Sequence, residues 1–73
     1  MTKYNGHKNY NHWNVSLWIN NDEYLYNLAL ECKSLTANLT KAARKFIAQV
    51  GTKRTPDGAS WSVIAVKAAL EDL

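Results

Sequence analysis

From Tyr10 onward, apolar positions recur along the chain with helical spacing. Trp13 and Leu17 stand four apart, as do Asn14 and Trp18, and Val15 and Ile19 fill the adjacent stripe. This spacing predicts a short helix over about 10–19 with most of its girth buried. The same β-branched and aromatic run also suits a buried strand, so both readings stand at this point. Asn20-Asn21-Asp22-Glu23 follows and reads as a helix start. Asn20 is placed to accept from the backbone N–H three residues on, while Glu23 can reach back. Asp22 and Glu23 also fall where the helix dipole favours negative charge. A second helix over about 21–35 is therefore expected, with Leu25, Leu28, Ala29, Cys32 and Leu35 on one face and a tight turn before it.

Ser34-Leu35-Thr36-Ala37-Asn38 marks the next break, with Thr36 or Asn38 as the cap. A third helix over about 39–50 places Leu39, Ala43, Phe46, Ile47 and Val50 on one stripe and Lys41, Arg44 and Lys45 opposite. Gly51 is its natural stop. Lys53-Arg54-Thr55-Pro56-Asp57-Gly58 then predicts a turn, because Pro presets φ and Gly is free to take a positive value. The last helix starts after Ser60 or Ser62. If Ser62 is the cap, Trp61 and Val66 occupy the two positions of a hydrophobic staple. Val63, Val66, Leu70 and Leu73 form its buried stripe, with Glu71 and Asp72 at the unfavourable end of the dipole. The expected fold is mostly α: one domain over residues 1–73, an irregular arm over 1–9, and about four short helices around a tryptophan-rich core.

Length changes the picture of what holds such a fold together. Seventy-three residues make one domain at most. A chain this short buries only about 60% of the surface its unfolded form exposes. With Cys32 as its one cysteine it has no internal disulfide, so aromatic packing or a partner must contribute. Six of the eight aromatic residues lie within the first 26 positions. No apolar run approaches the ~20 residues of a membrane span, and Met1 to Lys8 is too polar for a signal peptide. A lone thiol without such a leader suggests a reducing compartment.

Candidate chemistry is sparse. His12 and Cys32 could be imagined as a base and a nucleophile. Cys32, however, falls on the apolar face of the second helix, where a thiol serves as a small hydrophobe. Two histidines and one cysteine without paired spacing make no metal site. Three glycines, at 6, 51 and 58, form no phosphate loop. An enzyme, a metal and a cofactor are therefore not expected. The net charge of +3 permits an acidic partner and argues against a DNA mimic, which would be acidic. Lys41, Arg44 and Lys45, extended by Lys53 and Arg54, read either as a solvated face or as a patch for an acidic partner. Arg44 and Arg54 matter most, because the guanidinium fork suits phosphate or carboxylate. The tryptophans could stack bases, but their spacing places them in the core first. Tyr24 and Tyr26, two apart on one helix, cannot both face inward. One of them, together with Tyr10 and Tyr4 near the arm, is a candidate surface anchor.

These residues also carry a resemblance. Tyr4-Asn5-Gly6, Asn9-Tyr10, Trp13-Asn14-Val15 with Leu17-Trp18, then Asn21-Asp22-Glu23 and Tyr26 resemble a family of small proteins of tailed phages and prophages. The likeness covers about residues 4–30 and resumes only at Thr55-Pro56-Asp57-Gly58. His12 stands where that pattern has threonine, and Tyr24 where it has glycine. By further analogy the chain looks like an anti-CRISPR protein of the type I class. The resemblance implies an inhibitor in the cytoplasm of an infected bacterium, bound to a host protein or ribonucleoprotein complex. A nucleic-acid-binding accessory protein is the alternative. No membrane partner is implied, and homo-oligomerisation is left open.

Overall fold

A computed structural model describes residues 9–73. The first eight positions of the expected arm, Tyr4 and His7 among them, lie outside the described residues. Asn9, the last residue of that arm, is the N-cap of the first helix, its Oδ1 accepting from the His12 N–H at 3.0 Å. Four helices follow: α1 Tyr10–Asn21, α2 Glu23–Leu35, α3 Leu39–Val50 and α4 Val63–Glu71. The run that was open between helix and strand is helical. Each helix packs on its chain neighbour, α4 closes against α1 and also reaches α2, and the backbones of α1 and α3 do not approach each other closely.

The α1–α2 boundary differs from the expected capping box. Asn20 lies inside α1, where its Nδ2 donates back to the Ser16 carbonyl at 2.8 Å. Asp22 is the single residue between the helices. Its N–H donates to the Trp18 carbonyl at 3.0 Å, closing α1, while its carboxylate accepts from the Leu25 N–H at 3.0 Å, opening α2. A carboxylate caps better here than an amide because it also meets the positive end of the α2 dipole. At the other open boundaries Asn38 caps α3 and Ser62 caps α4, each through a side-chain oxygen on the third residue of its helix. Trp61 and Val66 are both buried, as the staple requires. Gly51 ends α3 in the left-handed region at φ 77°.

The core comprises Val15, Ile19, Leu25, Ala29, Cys32, Phe46, Trp61, Val66 and Leu70, with alanines 42, 43, 59, 65 and 69 between them. Of these small residues the helical spacing singled out Ala43 alone; those on α3 and α4 let the short helices approach closely. The tryptophans divide. Trp61 is in the core, edge-on to Phe46 with ring centroids 5.5 Å apart. Trp18 packs against the core from its rim. Trp13 is half-buried and lies 5.8 Å from the Tyr10 ring. Leu17 and Leu35, expected in the buried stripes, are 38% and 57% exposed. α1 turns Asn14, Val15, Trp18 and Ile19 inward, which points Leu17 away, and Leu35 is the last residue of α2. Among the described residues no helix is long and apolar enough to cross a membrane.

Candidate functional site

The α3 amphipathic pattern is resolved as the sequence predicts. Ala42, Ala43 and Phe46 are buried, and Lys41, Arg44 and Lys45 are exposed on the opposite face. Their side chains make no ion pair or hydrogen bond among the described residues. From Cys32 to Pro56 the chain carries six bases (Lys33, Lys41, Arg44, Lys45, Lys53 and Arg54) and no carboxylate. Lys33 is partly withdrawn, donating to the Leu73 carbonyl at 2.7 Å. Lys53 is exposed. Arg54 is exposed too, but its Nη1 donates to the Gly58 carbonyl at 2.9 Å, so part of its fork serves the loop it belongs to.

The tyrosines stand apart from this face. Tyr24 is 63% exposed and Tyr26 38%, so α2 turns both outward. No hydrogen bond or ring contact joins either to the basic residues. The Tyr10 hydroxyl donates to the Asp57 backbone carbonyl at 3.4 Å, a long bond that ties it to the loop before α4.

That loop holds an arrangement the sequence reading did not anticipate. Gly58, at φ 90°, closes the turn by donating its N–H to the Thr55 carbonyl at 2.8 Å. Thr55 in turn donates its N–H to the Ala59 carbonyl at 2.7 Å, and Arg54 and Ser60 form an antiparallel bridge. Side chains of α1 then clasp the turn. Asp57 Oδ2 accepts from Asn14 Nδ2 and from Trp18 Nε1, each at 3.0 Å. Asn14 Oδ1 accepts from the Thr55 hydroxyl at 2.6 Å, and that hydroxyl accepts from the Ala59 N–H at 3.0 Å. Asn11 grips the Ser60 backbone at both ends, donating to its carbonyl at 2.8 Å and accepting from its N–H at 2.6 Å. Asn14 and Thr55 are buried polar side chains, and no buried side-chain nitrogen or oxygen among the described residues lacks a partner. The Asn14 and Trp18 hydrogen bonds stabilise the charged form of Asp57 and hold its carboxyl below the ordinary range.

This clasp joins Asn14 and Trp18 of α1 to the Thr55-Pro56-Asp57-Gly58 turn. Their residue types are accounted for by architecture: an amide and an indole N–H from one helix face, and a carboxylate and a hydroxyl from one turn. Among the described residues no three of His, Cys, Asp and Glu come together as metal ligands would. Cys32 is buried, and burial, with the nearby Glu31 carboxylate adding and Lys45 opposing, pushes its thiol up.

Over residues 1–73 the chain matches a family of unknown function, DUF7249. No curated protein and no solved structure matches it.

Proposed function

We propose that the chain, which belongs to the DUF7249 family, is a non-enzymatic binding protein that docks on an acidic surface through the basic face of α3. One observation carries this reading: the arrangement of Lys41, Arg44 and Lys45 works against the helix that bears it. Lys41 is the third residue of α3, where the dipole disfavours a cation by about 0.3–1 kcal/mol. Lys41 and Lys45 are like charges one turn apart, a pair that costs about 0.2–0.5 kcal/mol. No acid offsets either effect within the helix. A face selected only for solubility and stability would mix signs. A face that meets an acidic partner keeps its cations unpaired.

The resemblance to phage proteins directs the choice of partner. On that reading the chain is a stoichiometric inhibitor of a host defence ribonucleoprotein, a type I CRISPR surveillance complex, and acts by occupying a surface or channel. Direct binding to nucleic acid is the second reading, favoured by the six bases without a carboxylate between Cys32 and Pro56.

Charge reversal tests the proposal, because fold and function respond in opposite directions. Lys41→Glu places an anion at the start of α3 and an opposite charge beside Lys45, so it should stabilise the fold by about 0.5–1 kcal/mol. The same change should slow association with a purified type I surveillance complex, because complementary fields steer encounter. Tyr24→Ala should act mainly on dissociation. Unchanged association for Lys41→Glu/Arg44→Glu with an intact fold would return the face to plain solvation. Titration against duplex DNA separates the second reading. Affinity carried by six or more phosphate contacts falls roughly a thousandfold from about 50 to 200 mM salt.

A further inference from the structure

The clasp over the turn before α4 closes on a chemically labile peptide. In an Asp-Gly sequence the glycine amide nitrogen can attack the aspartate side-chain carboxyl, since glycine has no side chain to hinder the approach. The nitrogen loses its proton, Cγ loses a hydroxyl, and water departs as a five-membered succinimide forms. Water then re-adds at either ring carbonyl. One opening restores aspartate; the other leaves isoaspartate, with an extra methylene in the main chain and no net change in atoms. The reaction needs a mobile carboxyl, a glycine nitrogen free to turn toward it, and a protonated acid whose hydroxyl can leave.

We propose that Asp57–Gly58 is a latent isomerisation site, which the folded protein holds closed through Asn14, Trp18 and Thr55. Two independent features of the geometry oppose the reaction. The nucleophile is engaged: the Gly58 N–H donates to the Thr55 carbonyl at 2.8 Å, which directs it away from Cγ. The electrophile is fixed: Asp57 Oδ2 takes hydrogen bonds from Asn14 and Trp18 at 3.0 Å each, so the carboxyl cannot swing onto the main chain. Both bonds from α1 also favour the ionised carboxylate, the unreactive form. Gly58 itself, at φ 90° with open space where a Cβ would stand, gains the turn its shape and exposes it to this chemistry. Once isoaspartate forms, the added methylene lengthens the segment between Thr55 and Ala59, and the displaced carboxylate no longer meets the α1 donors. The lesion would therefore unlatch the turn and could not be reversed by refolding.

The test is accelerated ageing at neutral pH and body temperature. Isoaspartate at position 57 is quantified by peptide mapping with electron-transfer fragmentation. Three samples are compared: the native protein, the protein held unfolded in urea, and Trp18→Phe, which keeps an aromatic ring but loses the indole N–H. Circular dichroism confirms that the variant is folded. Isoaspartate should accumulate many-fold faster in the unfolded chain than in the native one, and several-fold faster in folded Trp18→Phe. Equal rates in native and unfolded protein would overturn the proposal. So would a folded Trp18→Phe ageing at the native rate. If that variant does not fold, Asn14→Asp, which keeps the oxygen that Thr55 needs and removes the amide donor, takes its place with the same two outcomes.

Discussion

At Asp57 one carboxylate oxygen accepts two hydrogen bonds from a helix some forty residues earlier in the chain. Because those bonds favour the charged form, the folded-state pKa lies below the ordinary value of 3.8. A group depressed in this way contributes stability that is fully present above its unfolded pKa and is lost as pH falls through the folded value. The native protein should therefore exceed Asp57→Asn in melting temperature at neutral pH, and the gap should close on acidification below about 3.8. A gap that persists undiminished in acid would mean that the charge of Asp57 contributes nothing to the clasp. Cys32 illustrates the opposite residue-scale effect. Burial raises its pKa, so little thiolate is present at neutral pH. Alkylation of the native protein should lag far behind that of the unfolded chain.

Among the elements, local signals were legible wherever the determining contact is short-range. Gly51, Ser62 and the Trp61/Val66 staple act within a few residues, and Thr55-Pro56-Asp57-Gly58 turns on its own φ preferences. The α1–α2 boundary was harder, because Asn20, Asn21 and Asp22 are all cap formers in a row and spacing alone cannot rank them. The structure ranks them by charge: Asp22 caps, and Asn20 and Asn21 bond back to carbonyls four residues earlier. Asp22→Ala should accordingly cost about 1 kcal/mol, typical of losing an N-cap. Asn20→Ala should cost less, since its side chain bonds a carbonyl that the helix already uses. Urea midpoints of the two variants decide the order, and a larger loss for Asn20→Ala would restore the capping box first expected there. The clasp was not legible at all, because Asn11, Asn14 and Trp18 gain their partners only when α4 returns beside α1.

For the whole molecule, the question is how so thin a core holds four helices. The radius of gyration, 11.2 Å, is close to the about 11 Å expected of a single folded domain of this length. Compactness is achieved without a disulfide, since Cys32 is free. The large buried side chains are few, and Phe46 and Trp61, the two aromatic ones in the core, meet edge to face. Stability should therefore be concentrated in that pair and not spread across the aromatic-rich N-terminal half. Phe46→Ala or Trp61→Ala should cost about 3–5 kcal/mol, much of the 5–15 kcal/mol a domain commands and near all of it at this size. Trp13→Ala should cost clearly less, because its half-buried ring lies outside the core cluster. Denaturant titration of the three variants, with and without reductant, reads both claims. The reductant should change nothing, and a Trp13 variant weaker than the Trp61 variant would place the centre of the fold at α1 instead.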